Sequence, residues 1–398
     1  MRPFTSKPKS ALSIACTTHI IQDGISSTIY VLLPILAQAF GLSYAQVGVL
    51  KGIKSLSQAA LEVSSGWISE CVGECRLLVV GLTLSGVGYF LISNASSSLL
   101  VAICLSIVGA GTALHHAPSS ALIANSFPTR RSSALGLYNA SGDVGKLAFT
   151  GCFSLAIGAG FAWQQISLLY GIVSIVIAIA IAFFARLSFR FRRETMLCEL
   201  SSNDQSVVKG WGILDWRSYG ALLIITGIDT LVQGSVLVFV AFLMLAKGMS
   251  MSFASGATVL VLVGGVFGKA GCGYLAERVG VRLAFAIVQT LTAIGLITIA
   301  FAPNWFAMVL LIPLGAVVQG TSSITYGFAA NLIDHRKMAR GYALLYSSGT
   351  FAAAVGPLIM GMIADRFSLE IAICLIAFIA MLAIPPICIL RAVSIQSA

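Results

Sequence analysis

A segment in the first half of the chain, Gly66-Trp67-Ile68-Ser69-Glu70-Cys71-Val72-Gly73-Glu74-Cys75-Arg76, returns in the second as Gly273-Tyr274-Leu275-Ala276-Glu277-Arg278-Val279-Gly280-Val281-Arg282. The offset of 207 residues, from Gly66 to Gly273, also carries Gly41 onto Gly248 and Ser43 onto Ser250. The repeat runs through a chain that is 58% hydrophobic and only 10% charged. Two homologous halves in so apolar a chain imply a membrane protein with internal pseudo-symmetry, a plan used to move something between the halves.

Soluble domains carry roughly 25% charged residues, well above this chain. Apolar runs of about 20 residues, each able to cross about 30 Å of hydrocarbon, fill nearly all of the 398 residues. The hydropathy pattern predicts twelve spans: 11–37, 44–69, 77–94, 99–124, 132–158, 163–187, 217–246, 250–273, 282–301, 305–330, 340–364 and 369–390. The expected fold is therefore all-α, with twelve transmembrane helices in two six-helix pseudo-symmetric halves, 1–187 and 217–398. A cytoplasmic linker at 188–216 joins them. No soluble domain fits in the remainder. Span one is too long, and too polar at His19 and Asp23, for a cleaved signal peptide, so it is counted with the mature fold.

The net charge of +10 is an orientation signal. With the N-terminus in the cytoplasm, Arg2, Lys7, Lys9, Arg76, Arg130, Arg131, Arg186, Arg190, Arg192, Arg193, Lys209, Arg217, Arg278, Arg282, Arg336, Lys337, Arg340 and Arg391 fall inside. Lys247 and Arg366 fall outside, and four lysines lie within spans. An 18:2 split matches the positive-inside bias, placing both termini in the cytoplasm of an inner-membrane protein. No nucleic acid is expected. Phe189-Arg190-Phe191-Arg192-Arg193 in the connector suits either anionic lipid headgroups or an ordinary stop-transfer linker. Cys71 and Cys75 have no usual zinc spacing, and reduced cytoplasmic thiols are expected. Many of the 39 glycines lie inside spans, where small residues let helices approach closely.

The repeated loop resembles the signature of the major facilitator superfamily, Gly-x-x-x-Asp-Arg-x-Gly-Arg-Arg/Lys. Gly273, Glu277, Arg278, Gly280 and Arg282 match in the second copy, with Glu for Asp. The first copy keeps Gly66, Gly73 and Arg76, with Glu70 at the acid and Cys71 at the arginine. These residues are implied to form a conformational loop motif. Within the superfamily the chain looks like the fosmidomycin-resistance group of exporters. The matching pieces are His19-x-x-x-Asp23, Leu42-Ser43-Tyr44-Ala45-Gln46-Val47-Gly48, and His116 with Ser119-Ser120. It departs from drug antiporters in span five, where Phe149-Thr150 replace Gly-Pro and Asp143 and Lys146 add charge; Gly356-Pro357 lies in span eleven instead.

Ionisable groups in a bilayer are costly and generally face a cavity or a partner. The spans hold Asp23, Glu62, Asp143 and Asp229 beside Lys51, Lys54, Lys146 and Lys269, with His19, His115 and His116. Lys51, Lys54, Gln58 and Glu62 form one polar stripe on span two. Lys51, Lys54, His115, His116, Asp143 and Lys146 are the candidate substrate-binding groups, although Lys51 has a snorkelling alternative. Asp23, His19, Glu62 and Asp229 are the proton-coupling candidates. His19 and Asp23 share a face at i, i+4, and the alternative for Asp23 and Asp229 is a helix-packing hydrogen bond. Glu62 corresponds to Lys269 under the offset. Span five packs on span eight in the resembled fold, so Asp143 and Lys269 are expected to form a cytoplasmic gate, or else a permanent ion pair. A metal site at His19, Asp23 and a second histidine is allowed by residue type but not required by spacing, and no metal or cofactor is expected.

No Gly-x-x-x-x-Gly-Lys-Ser/Thr segment is present, which argues against ATP hydrolysis by this chain, and no enzyme pattern is found. The expected function is a proton-coupled secondary transporter of a small polar or anionic organic solute. By resemblance it is an exporter working by rocker-switch alternating access. Proton-symport uptake of an organic anion is the alternative, and a non-transporting membrane sensor a more distant one. Its partners are a small-molecule substrate, protons and the lipid bilayer, and a monomer is expected.

Overall fold

The computed structural model describes residues 8–127, 131–188, 211–334 and 338–390. Its first-half helices are Pro8–Ser27 (α1), Ile29–Phe40 (α2), Tyr44–Val72 (α3), Glu74–Ile92 (α4), Ser98–Ala113 (α5), His116–Ser126 (α6), Arg131–Gly158 (α7) and Trp163–Ser188 (α8). The second half comprises Trp216–Ala246 (α9), Met251–Val279 (α10), Val281–Phe301 (α11), Asn304–Ala329 (α12), Met338–Arg366 (α13), Leu369–Met381 (α14) and Ile384–Ile387 (α15). Among the described residues, ten segments are long and apolar enough to cross a membrane. The remaining two long helices, α3 and α7, are more polar because they carry Lys51, Lys54, Glu62, Asp143 and Lys146. Together they form an all-α membrane protein of twelve spans.

Three predicted spans are broken rather than continuous. Span one divides at Thr28, whose Oγ1 and the Tyr89 hydroxyl both donate to the Ile25 carbonyl at 2.7 Å and draw it from the helical ladder. Span four divides at Leu114–His115, four residues before Pro118, where a proline ring collides with the preceding turn. Pro385 and Pro386 divide span twelve in the same way. Connector residues 189–210 lie outside the described residues, as do Arg2, Lys7, Arg130, Arg336, Lys337 and Arg391 and the side chains of Glu70, Cys71, Arg131, Arg186 and Arg340.

The repeat reappears in the helix pairing. α1 packs on α7 as α9 packs on α13, α3 on α5 as α10 on α12, and α4 on α8 as α11 on α14. Gly41 and Gly248 hold left-handed turns (φ 62° and 82°) at one end of the bundle; Gly73 and Gly280 do so at the other (φ 94° and 83°), a region where a Cβ is penalised. Two seams join the halves, α3 against α13 and α7 against α10. At the Gly41 end, Asp365 of α13 accepts hydrogen bonds from the Tyr44 and Ala45 amides of α3, both at 2.9 Å. The Tyr44 ring there meets Phe239 and Phe242 of α9. This clasp borders a cavity of ≈ 380 Å³ lined in part by Gln38, Tyr44, Phe242 and Asp365.

Candidate transport site

Close packing of α1 on α7 builds the site. Gly145 lies against the Ile20 backbone and Gly142 against the His19 ring, so a side chain at either position would push the helices apart. The approach delivers Lys146 of α7 to Asp23 of α1. Lys146 Nζ lies 3.0 Å from Asp23 Oδ2 and 3.5 Å from Asp143 Oδ1. Asp143 receives Lys269 Nζ of α10 at 2.5 and 2.7 Å, across the seam. His19 Nε2 approaches Asp23 Oδ2 at 3.2 Å and His116 Nε2 approaches Oδ1 at 3.7 Å. The result is an alternating chain of charges, Lys269–Asp143–Lys146–Asp23–histidines, carried by α10, α7, α1 and α6. The Asp23 and His19 side chains are 7% and 5% exposed, whereas Lys146, Lys269 and His116 are 32%, 31% and 26% exposed. The acid is sealed while Lys146, Lys269 and His116 beside it are partly exposed.

One contact determines how many protons the centre holds. His19 Nδ1 lies 2.8 Å from the Tyr138 carbonyl oxygen, which can only accept, so Nδ1 carries a hydrogen. The approach of Nε2 to Asp23 is then favourable only with a second proton between them, on the imidazole or on the carboxyl. Tyr138 also stacks on His19 at 3.9 Å, and His115, buried, stacks on His19 at 5.4 Å and on Tyr138 at 6.3 Å and meets His116 edge-on. His116 stacks on Tyr346 of α13 at 6.3 Å, touching the opposite half. Tyr138 and Tyr346 escaped the sequence reading because one acts through its backbone and the other through tertiary placement. His19, Asp23 and His116 place three metal-ligand atoms within 4.8 Å of one another. The Lys146 ammonium already sits on the carboxylate they would share, so the cluster reads as a charge network.

The polar stripe of α3 faces inward. Lys51, Lys54, Gln58 and Glu62 are all buried. Lys51 Nζ donates to Ser55 Oγ at 2.5 Å and lies over the Tyr30 ring. Lys54 donates to Ser26 Oγ at 2.7 Å and to Gln58 Oε1 at 3.0 Å. Glu62 accepts from Thr350 of α13 at 3.0 Å, bridging the other seam. Among the described residues, neither Lys51 nor Lys54 has a carboxylate at ion-pair distance.

Asp229 is elsewhere, in the second half. It accepts from Gln233 and Thr321 at 2.7 Å each and from Gln289 at 3.2 Å. Its counterpart under the repeat is Gln22, which donates to Ser85 at 2.7 Å and Thr112 at 3.1 Å. Subtracting 207 from 229 would have found Gln22; no signal in the spacing names the cage around it.

The profile of the Major Facilitator Superfamily matches residues 15–209 and 222–395. The chain belongs to that superfamily. YfnC of Bacillus subtilis, an uncharacterized MFS-type transporter, is 24% identical over 92% of this chain and 89% of its own length. A probable sulfoacetate transporter, SauU of Cupriavidus necator, is 23% identical over 67% and 64%. The fosmidomycin resistance protein of Escherichia coli is 24% identical over 35% and 36%. A bacterial homologue of the human lysosomal transporter Spinster shares the fold, with a TM-score of 0.70, 16% identity and coverage of 96% and 94%. As a Major Facilitator Superfamily member, the chain is a multi-pass membrane transporter. Its family loop occurs twice. Gly66 and Gly273 lie in α3 and α10, and Gly73 and Gly280 make the turns into α4 and α11. Arg76 is exposed at the start of α4, and Glu277 precedes Arg278 at the end of α10. Arg278 stacks on Tyr274, and Arg282 donates to the Leu390 carbonyl, tying the second loop to the last span.

Proposed function

We propose that this transporter couples proton movement through the His19–Asp23 pair to the movement of a small organic anion by alternating access. The observation that carries the reading is the pair of buried lysine amines, Lys51 and Lys54, whose partners among the described residues are neutral: the Ser55, Ser26 and Gln58 oxygens and the Tyr30 ring. A buried charge without a counter-ion is costly, and an anionic solute supplies the missing charge. The His19–Asp23 pair supplies the proton, since its geometry holds one between two acceptors. Sulfonate and phosphonate chemistry in relatives named for sulfoacetate and fosmidomycin agrees with an anion.

Export from the cytoplasm is the direction suggested by the fosmidomycin-resistance likeness; uptake with protons is favoured by the lysines, which attract an anion from either side. The charge distribution supports an inner-membrane topology with both termini cytoplasmic, so that the Gly41 end faces outward. Asp143 and Lys269 are proposed as the cytoplasmic gate. Their bond coexists here with the Asp365 clasp at the opposite end, which supports reading this conformation as an intermediate between two open states. Flux of sulfonates, phosphonates and carboxylates into proteoliposomes, with the pH gradient imposed in either direction, tests the proposal. Accumulation of an anion driven by one gradient and abolished by its collapse is expected. Stoichiometric binding without uphill flux would leave a sensor instead.

A further inference from the structure

Lys146 lies between two acids, on Asp23 at 3.0 Å and on Asp143 at 3.5 Å, while Lys269 of the other half shares Asp143 Oδ1. We infer that Lys146 is a positioning residue that reports the proton occupancy of the His19–Asp23 pair to the α7–α10 seam. The inference rests on the proton reading of that pair. When the proton leaves, the bare Nε2 of His19 faces the carboxylate, and Lys146 becomes the principal cation on Asp23. Asp143 then belongs to Lys269 alone, and the seam is held. When the proton is present, His19 or the carboxyl proton satisfies Asp23. Lys146 is then shared, as in this structure, reaching Asp143 Oδ1 at 3.5 Å beside Lys269 while it stays on Asp23 at 3.0 Å, and the hold of Lys269 on the seam is weaker than when Lys146 is drawn wholly to Asp23. One proton thereby changes an inter-half contact without touching it, because a single ammonium cannot serve two carboxylates fully at once.

Every charged or titratable group within electrostatic reach of Asp23 is compatible with this exchange. His19 lies on the same helix, Tyr30 on α2, Lys54 and Glu62 on α3, and His115 and His116 on α6. Tyr138, Asp143 and Lys146 lie on α7, Lys269 on α10 and Tyr346 on α13. Lys146 is the only one of these, among the described residues, in ion-pair contact with both acids. Neutralising it leaves Asp23 with His19 and Asp143 with Lys269, so the fold retains one cation per acid.

The test uses spin labels at Asn139 of α7 and Tyr274 of α10, both exposed, in a cysteine-substituted full-length protein. Their separation is measured by pulsed electron resonance between about pH 5 and pH 8, the range over which a histidine changes charge. The unsubstituted network is expected to show a longer, broader separation at the acidic end. Lys146→Gln should make the separation independent of pH, and Lys146→Met, which cannot hydrogen-bond to either acid, should do the same. A Lys146→Gln protein that keeps the full pH response, while Asp23→Asn abolishes it, would overturn the lysine exchange and leave the proton reading intact. No pH response in the unsubstituted network would overturn both.

Discussion

Asp23 and Asp229 lie in spans related by the repeat, both buried, yet their neighbours are of opposite kinds. Asp23 is surrounded by the Lys146 ammonium and the imidazoles of His19 and His116, with further charges beyond them. Among the described residues Asp229 meets neutral donors alone, Gln233, Gln289 and Thr321. The counterpart of Asp229 is Gln22, whose amide ties α1 to α4 and α5 through Ser85 and Thr112. An amide in one half and an acid in the other thus occupy the same three-helix lock. The comparison separates an acid placed to exchange charge from one placed to hold helices together. A buried carboxyl in an apolar span is therefore insufficient to mark the coupling site.

The widest separation between the two acids should appear in transport. Asp23→Asn is predicted to abolish pH-driven accumulation, while Asp229→Asn, which keeps hydrogen-bonding shape in a neutral cage, should retain most of it. Proteoliposome flux checks both. Equal loss in the two variants would erase the distinction between the two acids.

Next in size is the inter-half bridge. Removing one partner of a fully buried ion pair costs about 3–5 kcal/mol. Lys269 is 31% exposed, so solvent screening reduces the figure for Lys269→Ala. Asp143→Lys combined with Lys269→Asp should recover part of the loss in a thermal unfolding cycle. Additive losses would show that the two groups do not act as a pair.

A smaller change is expected of His19→Gln. An amide can still meet the Tyr138 carbonyl but cannot hold the shared proton. The acidic limb of the transport–pH profile should therefore move, with flux reduced rather than lost, and an unmoved profile would exclude His19 from the proton site. The smallest effect belongs to the clasp at the Gly41 end. Asp365→Asn removes a negative charge from the N-terminus of α3, an interaction worth about 0.3–1 kcal/mol. Modification of a cysteine placed at Gln38 should quicken by a few-fold as that end opens more often, roughly tenfold per 1.4 kcal/mol.

Much of the architecture was legible because hydrophobic length and repeat are linear properties. Twelve spans, the two halves and the turns at Gly41, Gly73, Gly248 and Gly280 follow from a pattern any bilayer imposes. The proximity of Asp143 to Lys269 was also within reach, since the repeat and the family resemblance together placed their helices side by side. The breaks at Thr28 and Leu114–His115 were not: the first depends on Tyr89, 61 residues away from its Thr28 partner, and the second was hidden within an unbroken apolar run despite Pro118. The His19–Asp23 spacing marked the pair, but its proton count depends on the Tyr138 carbonyl, 119 residues away in sequence.

By itself the sequence determined the spans, the pseudo-symmetry and the inventory of charges that a membrane must hide. Only the tertiary structure decided which charges meet. It set Lys146 between Asp23 and Asp143, left Lys51 and Lys54 among neutral oxygens, and enclosed Asp229 in a neutral cage. The reason is physical: burial in hydrocarbon can be read from composition, but the partner that compensates a buried charge is selected by helix approach. That approach is set by backbone contacts such as Gly145 on Ile20, which join residues far apart in the chain.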